Sequence, residues 1–174
     1  MTTTSSTEVS ELSGTDRWER AIRVIAKGLL GVLLLAGGMG LLGVRSTSAD
    51  ASLNGYILEV THAATTRPGL ASPFEVRVAT EDGSHLPATL TIRLESSYLA
   101  MFDENGLHPD PVSSFRTDRW TWWTFEIPDG AGEISVNFDA KLEPSVQSGR
   151  SSTVALEIAG AEMVAVHFET GVMP

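Results

Sequence analysis

Between residues 56 and 169, apolar and polar side chains alternate in seven short stretches, whereas the first 45 residues show no such alternation. A period of two places every second side chain on the same face of a β-strand. Each stretch therefore predicts a strand with one buried face. The seven stretches cover residues 56–61, 74–78, 89–94, 122–127, 134–142, 154–158 and 164–169.

Turn-forming residues separate these stretches, namely Pro68-Gly69, Asp82-Gly83, Asp129-Gly130 and Gly160. Glycine and proline at such positions mark the ends of strands. Seven short strands joined by turns predict two antiparallel sheets that pack face to face. Residues 55–174 are therefore expected to form an all-β, seven-stranded antiparallel β-sandwich.

Residues 68–95, PGLASPFEVRVATEDGSHLPATLTIRLE, place an apolar-faced strand before an acidic-glycine turn and a second strand rich in threonine. This stretch resembles the early hairpin of bacterial immunoglobulin-like or fibronectin-III-like extracellular modules. The resemblance covers residues 52–170 as an architecture, although the cysteine pair of immunoglobulin domains is absent. It implies an immunoglobulin-like sandwich with a binding or spacer role.

The N-terminal part of the chain predicts a membrane anchor. Residues 1–15 are rich in serine and threonine and predict a disordered tail. Residues 16–45 predict a helix that Asp16 caps, and its uncharged run of 17 residues from Gly28 to Val44 spans roughly 26 Å. With neighbouring residues that length suits a transmembrane signal-anchor helix, followed by a linker over residues 46–54.

The flanking charges predict the orientation of this helix. Four basic residues precede the uncharged run and only Arg45 follows it closely. The positive-inside rule then places the N-terminus in the cytoplasm and the sandwich outside it. The alternative is a cleaved signal peptide, because Ala49-Asp50-Ala51 fits a cleavage site before Ser52. Both interpretations place the sandwich outside the cytoplasm.

Small residues in the predicted anchor suggest a helix-packing face. Ala36 and Gly40 are four residues apart, which lets two membrane helices approach closely. The alternative is that glycine is simply frequent in membrane helices.

The charge of the chain excludes one class of partner, and its composition indicates the kind of organism that it comes from. Residues 1–44 carry four acidic and four basic residues, so the net charge of −10 falls on residues 45–174. A domain this acidic should repel nucleic acid. The chain has no cysteine, and its 12 basic residues are mostly arginine, which indicates a bacterial protein. We expect it in the bacterial cytoplasmic membrane.

The segment Arg119-Trp120-Thr121-Trp122-Trp123 is the most unusual local composition. Because a strand alternates, Trp123 is expected in the core, and Trp120 and Trp122 on the opposite face. That exposed pair, with Arg119, could contact a partner protein, a glycan or lipid headgroups. Alternatively, the 23-residue irregular segment 96–118, with one helical turn near residues 98–102, covers both indoles, and Arg119 stacks on one of them.

The candidates for metal binding and catalysis are weak. Asp103, Asn105 and Asp110 concentrate oxygen atoms that calcium could use, but they do not match an EF-hand, and an Asn-Gly turn explains them equally. No pair of histidines has metal-ligand spacing, and no serine lies in a nucleophile motif. We therefore expect no cofactor and no enzymatic activity.

These observations favour a single-pass accessory protein whose outer domain binds or stabilises a membrane or envelope protein. The alternative function is a surface glycan-binding or adhesive module that uses Trp120 and Trp122. An enzyme is the third reading, and no motif supports it.

Overall fold

A computed structural model of the chain describes residues 12–38 and 44–173, apart from the side chains of residues 12–17, 36, 104 and 105. The chain divides into two units, a helical one and a β unit that starts at Val44. The helix α1 runs from Leu12 to Gly38. It begins four residues before Asp16, the start that the sequence predicted.

The residues of α1 whose burial is described are exposed to solvent, apart from Gly31, which is half-buried. Arg23 forms an ion pair with Glu19, one helical turn earlier, at 3.2 Å. Within the residues that the structure describes, no helix reaches the combination of length and hydropathy that a bilayer crossing needs. Residues 39–43 of the predicted anchor, including Gly40, lie outside the described residues.

The β unit contains ten strands and one short helix in its described residues. The helix α2 is Ser96–Leu99. The strands are β1 Arg45–Leu53, β2 Tyr56–Thr66, β3 Ala71–Thr80, β4 Thr89–Glu95, β5 Phe102–His108, β6 Ser113–Arg116, β7 Trp120–Glu126, β8 Glu133–Leu142, β9 Arg150–Ile158 and β10 Ala161–Val172.

These strands form two sheets. The first sheet has the order β1-β2-β3-β8-β5 and the second has the order β10-β9-β4-β7-β6. Neighbouring strands are antiparallel, except that Gly171 and Val172 of β10 pair in parallel with Thr65 and Thr66 of β2. The end of β10 therefore joins the two sheets along one side.

The all-β class is confirmed, and each of the seven predicted stretches lies in a strand, apart from Ile127, which follows the end of β7. The predicted count of seven and the fully antiparallel pairing are wrong. The predicted linker 46–54 is largely β1, which pairs with β2 along its whole length. Most of β1 is exposed and polar, so no apolar alternation marked it in the sequence.

The predicted irregular segment 96–118 is also mostly regular. The helical turn predicted near residues 98–102 is α2, which begins earlier, at Ser96, and β5 and β6 occupy much of the remainder. Both are edge strands, β5 on β8 and β6 on β7. An edge strand is held by hydrogen bonds on one side only and buries little, so its sequence need not alternate.

Aromatic contacts between the sheets fill the core. Trp123 of β7 meets Phe138 of β8 with ring centroids 5.1 Å apart, and Phe74 of β3 lies 5.6 Å from Phe168 of β10. The expected core position of Trp123 is confirmed, because its side chain is only 5% exposed. The apolar faces predicted by the alternation are therefore the faces that the two sheets turn toward each other.

A polar contact lies inside this core where β10 joins β2. The hydroxyl of Tyr98 is 2.9 Å from Thr170 Oγ1, and that oxygen is 3.4 Å from Nδ1 of the buried His62. His62 Nδ1 also lies 3.2 Å from the Ala63 carbonyl oxygen, to which it can donate. Burial raises the pKa of Tyr98 to about 12, so the phenol keeps its proton. Burial lowers the pKa of His62, although its bond to the Ala63 carbonyl partly opposes this.

The lowered pKa of His62 predicts that acid weakens the fold. The unfolded chain takes up this proton near the ordinary pKa of 6.5, while the folded chain resists it. The free energy of unfolding should therefore be highest above pH 6.5. It should fall as the pH drops from 6.5 toward the lowered pKa of His62. Urea unfolding from about pH 7.5 to about pH 5.5 measures this fall.

The substitution His62→Gln should remove most of that pH dependence, and His85→Gln is the control because His85 is exposed. An equal fall in stability in wild type and His62→Gln would show that other groups cause it.

A close backbone contact holds β10 at this junction and gives a second prediction. A Cβ atom at Gly149 would lie 2.1 Å from the Thr170 carbonyl oxygen, whereas at Gly132 the nearest atom would be 3.4 Å away. We expect Gly149→Ala to cost about 1–3 kcal/mol of stability, as overpacking does, and Gly132→Ala to cost much less. Thermal unfolding of both variants tests this, and equal melting temperatures would contradict it.

Candidate binding surface

The outer face of the second sheet carries aromatic residues that are not buried in the core. Because Thr121, Trp123 and Phe125 of β7 are buried, the side chains between them point outward. The neighbouring strands β4 and β6 add their own outward residues according to the register of the sheet. The face consists of Trp120, Trp122 and Thr124 on β7, Thr91, Arg93 and Glu95 on β4, and Ser113 and Phe115 on β6.

Arg93 organises one part of this face. Its guanidinium forms ion pairs with Glu157 of β9, at 2.9 Å, and with Glu162 of β10. The same guanidinium lies over the Trp120 ring, 4.5 Å from the ring centroid. Since Arg93 and Glu157 are both mostly buried, solvent screens this pair less than it would an exposed one. Trp120 is therefore held against the sheet by a side chain that is itself fixed.

Arg119 also lies over Trp120, 5.4 Å from the ring centroid. The sequence left open whether Arg119 stacks on an indole, and the structure places it there. Cations are attracted to the face of an indole ring. Two guanidinium groups therefore occupy positions over Trp120 that a sugar ring would need for stacking.

Trp122 and Phe115 form the exposed part of the face. Phe115 is paired with Trp122 across β6 and β7, and their ring centroids are 5.5 Å apart at 35°. Trp122 is half-buried, whereas Phe115 is 63% exposed. Segment 96–118 thus covers Trp122 only in part, and it does so by presenting another aromatic ring to solvent.

The short helix α2 is contacted by two arginine side chains and by the backbone of a third arginine. Arg116 Nη2 donates to the Ser96 carbonyl oxygen at 3.4 Å, and Arg150 Nη1 donates to the Ser97 carbonyl oxygen at 2.8 Å. The Ser96 N–H donates to the Arg119 carbonyl oxygen at 3.0 Å. Arg150 stands more than thirty positions from the other two in the sequence, so no local pattern could place it with them.

The structure does not support the two other predicted sites, the helix-packing face and the calcium site. Ala36 lies in α1, where the structure does not describe its side chain, and Gly40 lies outside the described residues, so the helix-packing hypothesis stays a prediction. Asp103 and Asn105 lie in β5 rather than in a turn, and Asp110 follows that strand. Among the described residues, no three histidine or acidic side chains come together as metal ligands. The weak calcium hypothesis thus gains no support from the fold.

A concave region lies at the turns between β1 and β2 and between β3 and β4. It is a cleft of 360 Å³ lined by Tyr56, Glu81, Asp82 and His85 among others. Asp82 Oδ1 accepts a hydrogen bond from the Ser84 N–H at 2.9 Å, and the bonds from Ser84 lower the pKa of Asp82. This carboxylate is therefore engaged in closing its own turn.

The sequence matches no protein-family model and no curated protein. Among solved structures, the chain is similar to the collagen-binding domain from a Staphylococcus aureus adhesin, at 10% identity and a TM-score of 0.36, over 74% of this chain and 98% of that one. It is also similar to a crystal structure of the S. aureus collagen adhesin, at 9% identity and a TM-score of 0.36, over 75% and 76% of the two chains. At this identity and TM-score, the likeness carries no information about a family or a ligand.

Adjacent tryptophans should respond oppositely to truncation. We expect Trp123→Ala to cost about 3–5 kcal/mol, because it leaves a cavity between the sheets. Trp122→Ala should leave the fold intact, because it removes contacts on the outer face only. Urea unfolding measured by circular dichroism compares the two variants, and loss of folding in Trp122→Ala would show that Trp122 is needed for the core.

Proposed function

We propose that this chain is a membrane-anchored, extracytoplasmic and non-enzymatic module whose outer aromatic face binds a membrane or envelope protein. The observation that carries the proposal is the ring pair of Phe115 and Trp122, which is open to solvent on a rigid sheet. An exposed aromatic surface on a β-sheet domain suits that domain to binding.

The physical argument begins with the chemistry of binding surfaces. Aromatic residues and arginine are enriched where proteins bind one another, and a few such residues supply most of the binding free energy. Here Arg93 fixes Trp120, and Trp122 supports Phe115. A partner would therefore meet side chains that lose little conformational entropy on binding.

The charge of the domain supports the same choice. The net charge of −10 lies on residues 45–174, yet the ring pair itself carries no charge. A surface depleted of charge at its centre and surrounded by polar residues is typical of a protein interface.

Two observations support the membrane anchor. The helix α1 exposes large apolar side chains, including Ile25, Leu29, Val32 and Leu34, which lipid or partner helices would cover, although no described helix has the length and hydropathy of a bilayer crossing. In addition, cleavage before Ser52 would remove most of β1, whose residues pair with β2 from Arg45 onward. The pairing of β1 therefore favours a retained anchor over a cleaved signal.

Glycan binding is the second candidate, and Trp122 is the observation in its favour, since its half-exposed indole could stack on a sugar. However, Phe115 is tilted by 35° from Trp122 and the guanidinium groups of Arg93 and Arg119 lie over Trp120. Two cations thus lie over Trp120 and a tilted ring borders Trp122, which favours a protein partner over a stacked sugar.

Site-specific photo-cross-linking of the full-length protein in its native membranes tests the proposal. A photoreactive phenylalanine analogue at position 115 should give one discrete cross-linked protein. The same analogue at the exposed Asn137, on the outer face of the first sheet, should not. Substitution Trp122→Ser should reduce the cross-link severalfold, because it removes the support of position 115.

Equal labelling from positions 115 and 137 would contradict the proposed surface. Recovery of a chain that starts near Ser52 would contradict the anchor, and a cross-link to glycan rather than protein would favour the second candidate.

A further inference from the structure

The helix α1 carries a stripe of large apolar side chains along one side. Its members recur alternately four and three residues apart, an average spacing of about 3.5 residues. On a helix that advances by about 100° per residue, they fall within an arc of about 80°. All of them are exposed. This stripe, the α1 seam, consists of Trp18, Ile22, Ile25, Leu29 and Val32.

The charged side chains that the structure describes in α1 lie away from the seam. Arg20, Arg23 and Lys27 fall within an arc of about 60° on the opposite side of the helix. Glu19 lies nearer to the margin of the seam, and Arg23 pairs with it at 3.2 Å. A second helix could therefore pack on the seam without burying any of these charges.

Small residues border the seam in the part of the helix that carries these charges. Ala21 and Gly28 lie on one side of it and Ala26 on the other. A Cβ atom added at Gly28 would meet no atom within 4 Å, so the space beside that glycine is open. Small residues beside a contact let the backbones of two helices approach closely.

The spacing of the seam, rather than its apolar character, distinguishes it from the rest of the helix. Beyond Gly28 the helix also exposes leucines on other sides, including Leu30 and Leu34, and lipid could cover those. A repeat of 3.5 residues keeps one side of a helix against a neighbouring helix over several turns. The same left-handed packing is found in most bundles of membrane helices. The seam therefore has the period of a helix–helix contact.

A second copy of this chain suits the seam. Copies inserted into one membrane share the orientation that their flanking charges impose, so two identical seams face each other in register. Apolar side chains then meet apolar side chains, and the basic side chains of the two helices point away from each other. The net charge of −10 lies on residues 45–174, beyond the helix. There, solvent and salt screen the repulsion between two copies.

We propose that α1 binds a second copy of itself in parallel through the α1 seam. Two β units are then held in one assembly, which would let a partner with two binding sites engage both outer aromatic faces at once. The proposal rests on the anchor in the proposed function, because the parallel arrangement follows from insertion. It does not depend on the aromatic face.

Single-cysteine scanning of the full-length protein in its native membranes tests the proposal, because the chain has no cysteine of its own. Oxidation by copper phenanthroline links two copies only where their Cα atoms come within about 7 Å. Cysteine at positions 22, 25, 29 and 32 should give severalfold more disulfide-linked dimer than cysteine at positions 24, 30 and 34, which lie off the seam.

A matched pair of alanine substitutions tests whether packing at the seam causes the link. Leu29→Ala and Leu30→Ala remove the same atoms at neighbouring exposed positions, so they change hydropathy and intrinsic helix propensity equally. In a chain with cysteine at position 25, Leu29→Ala should lower the yield of dimer severalfold. Leu30→Ala should leave that yield unchanged, because Leu30 lies off the seam.

Three results would overturn the proposal. Equal linking at all scanned positions would show random collision, and absence of dimer at every position would show that two copies do not meet. Equal effects of Leu29→Ala and Leu30→Ala would exclude the seam as the contact. Maxima four residues apart through Gly28 and Val32 would replace the seam with the right-handed contact that small residues form.

These outcomes are distinct from those of the photo-cross-linking experiment. Disulfide-linked dimer without a cross-link from position 115 would establish the seam and contradict the aromatic surface. A cross-link from position 115 without dimer would do the reverse. Recovery of the full-length chain outside the membrane fraction would contradict the anchor and, with it, the parallel arrangement of the seam.

Discussion

The burial of Trp123 between the two sheets determines what the rest of β7 can present. The Trp123 side chain is 5% exposed and meets Phe138 of the opposite sheet at 5.1 Å. Because a strand alternates its faces, this one buried indole places Trp120 and Trp122 on the outside. The same packing that stabilises the fold therefore turns two aromatic side chains of β7 toward the outer face of the second sheet.

The outer face has two parts, one in which arginine side chains cover an aromatic ring and one in which aromatic rings face solvent. Arg93 and Arg119 lie over Trp120, so this indole is a structural part of the face. Phe115 and Trp122 face solvent beside the open edge of β6. Apolar rings thus reach solvent next to an edge strand of the domain.

The sandwich is closed on its other side by β10. Its last residues pair with β2, and Thr170 stands between Tyr98 and the buried His62. A buried polar group is tolerated only when hydrogen bonds replace water, and this site provides them. Closure at β10 leaves β5 and β6 at the two ends of the strand order in the described sheets.

The sequence by itself determined the β class, the seven alternating strands and the inward position of Trp123, because each depends on a local period of two. It did not reveal β1, β5 and β6, because edge strands are held by backbone hydrogen bonds and bury too little to impose a pattern. Only the tertiary structure brought Arg150 beside Arg116 and Arg93 over Trp120. Such contacts depend on the order and register of strands that are far apart in the chain, and a local pattern carries no information about either.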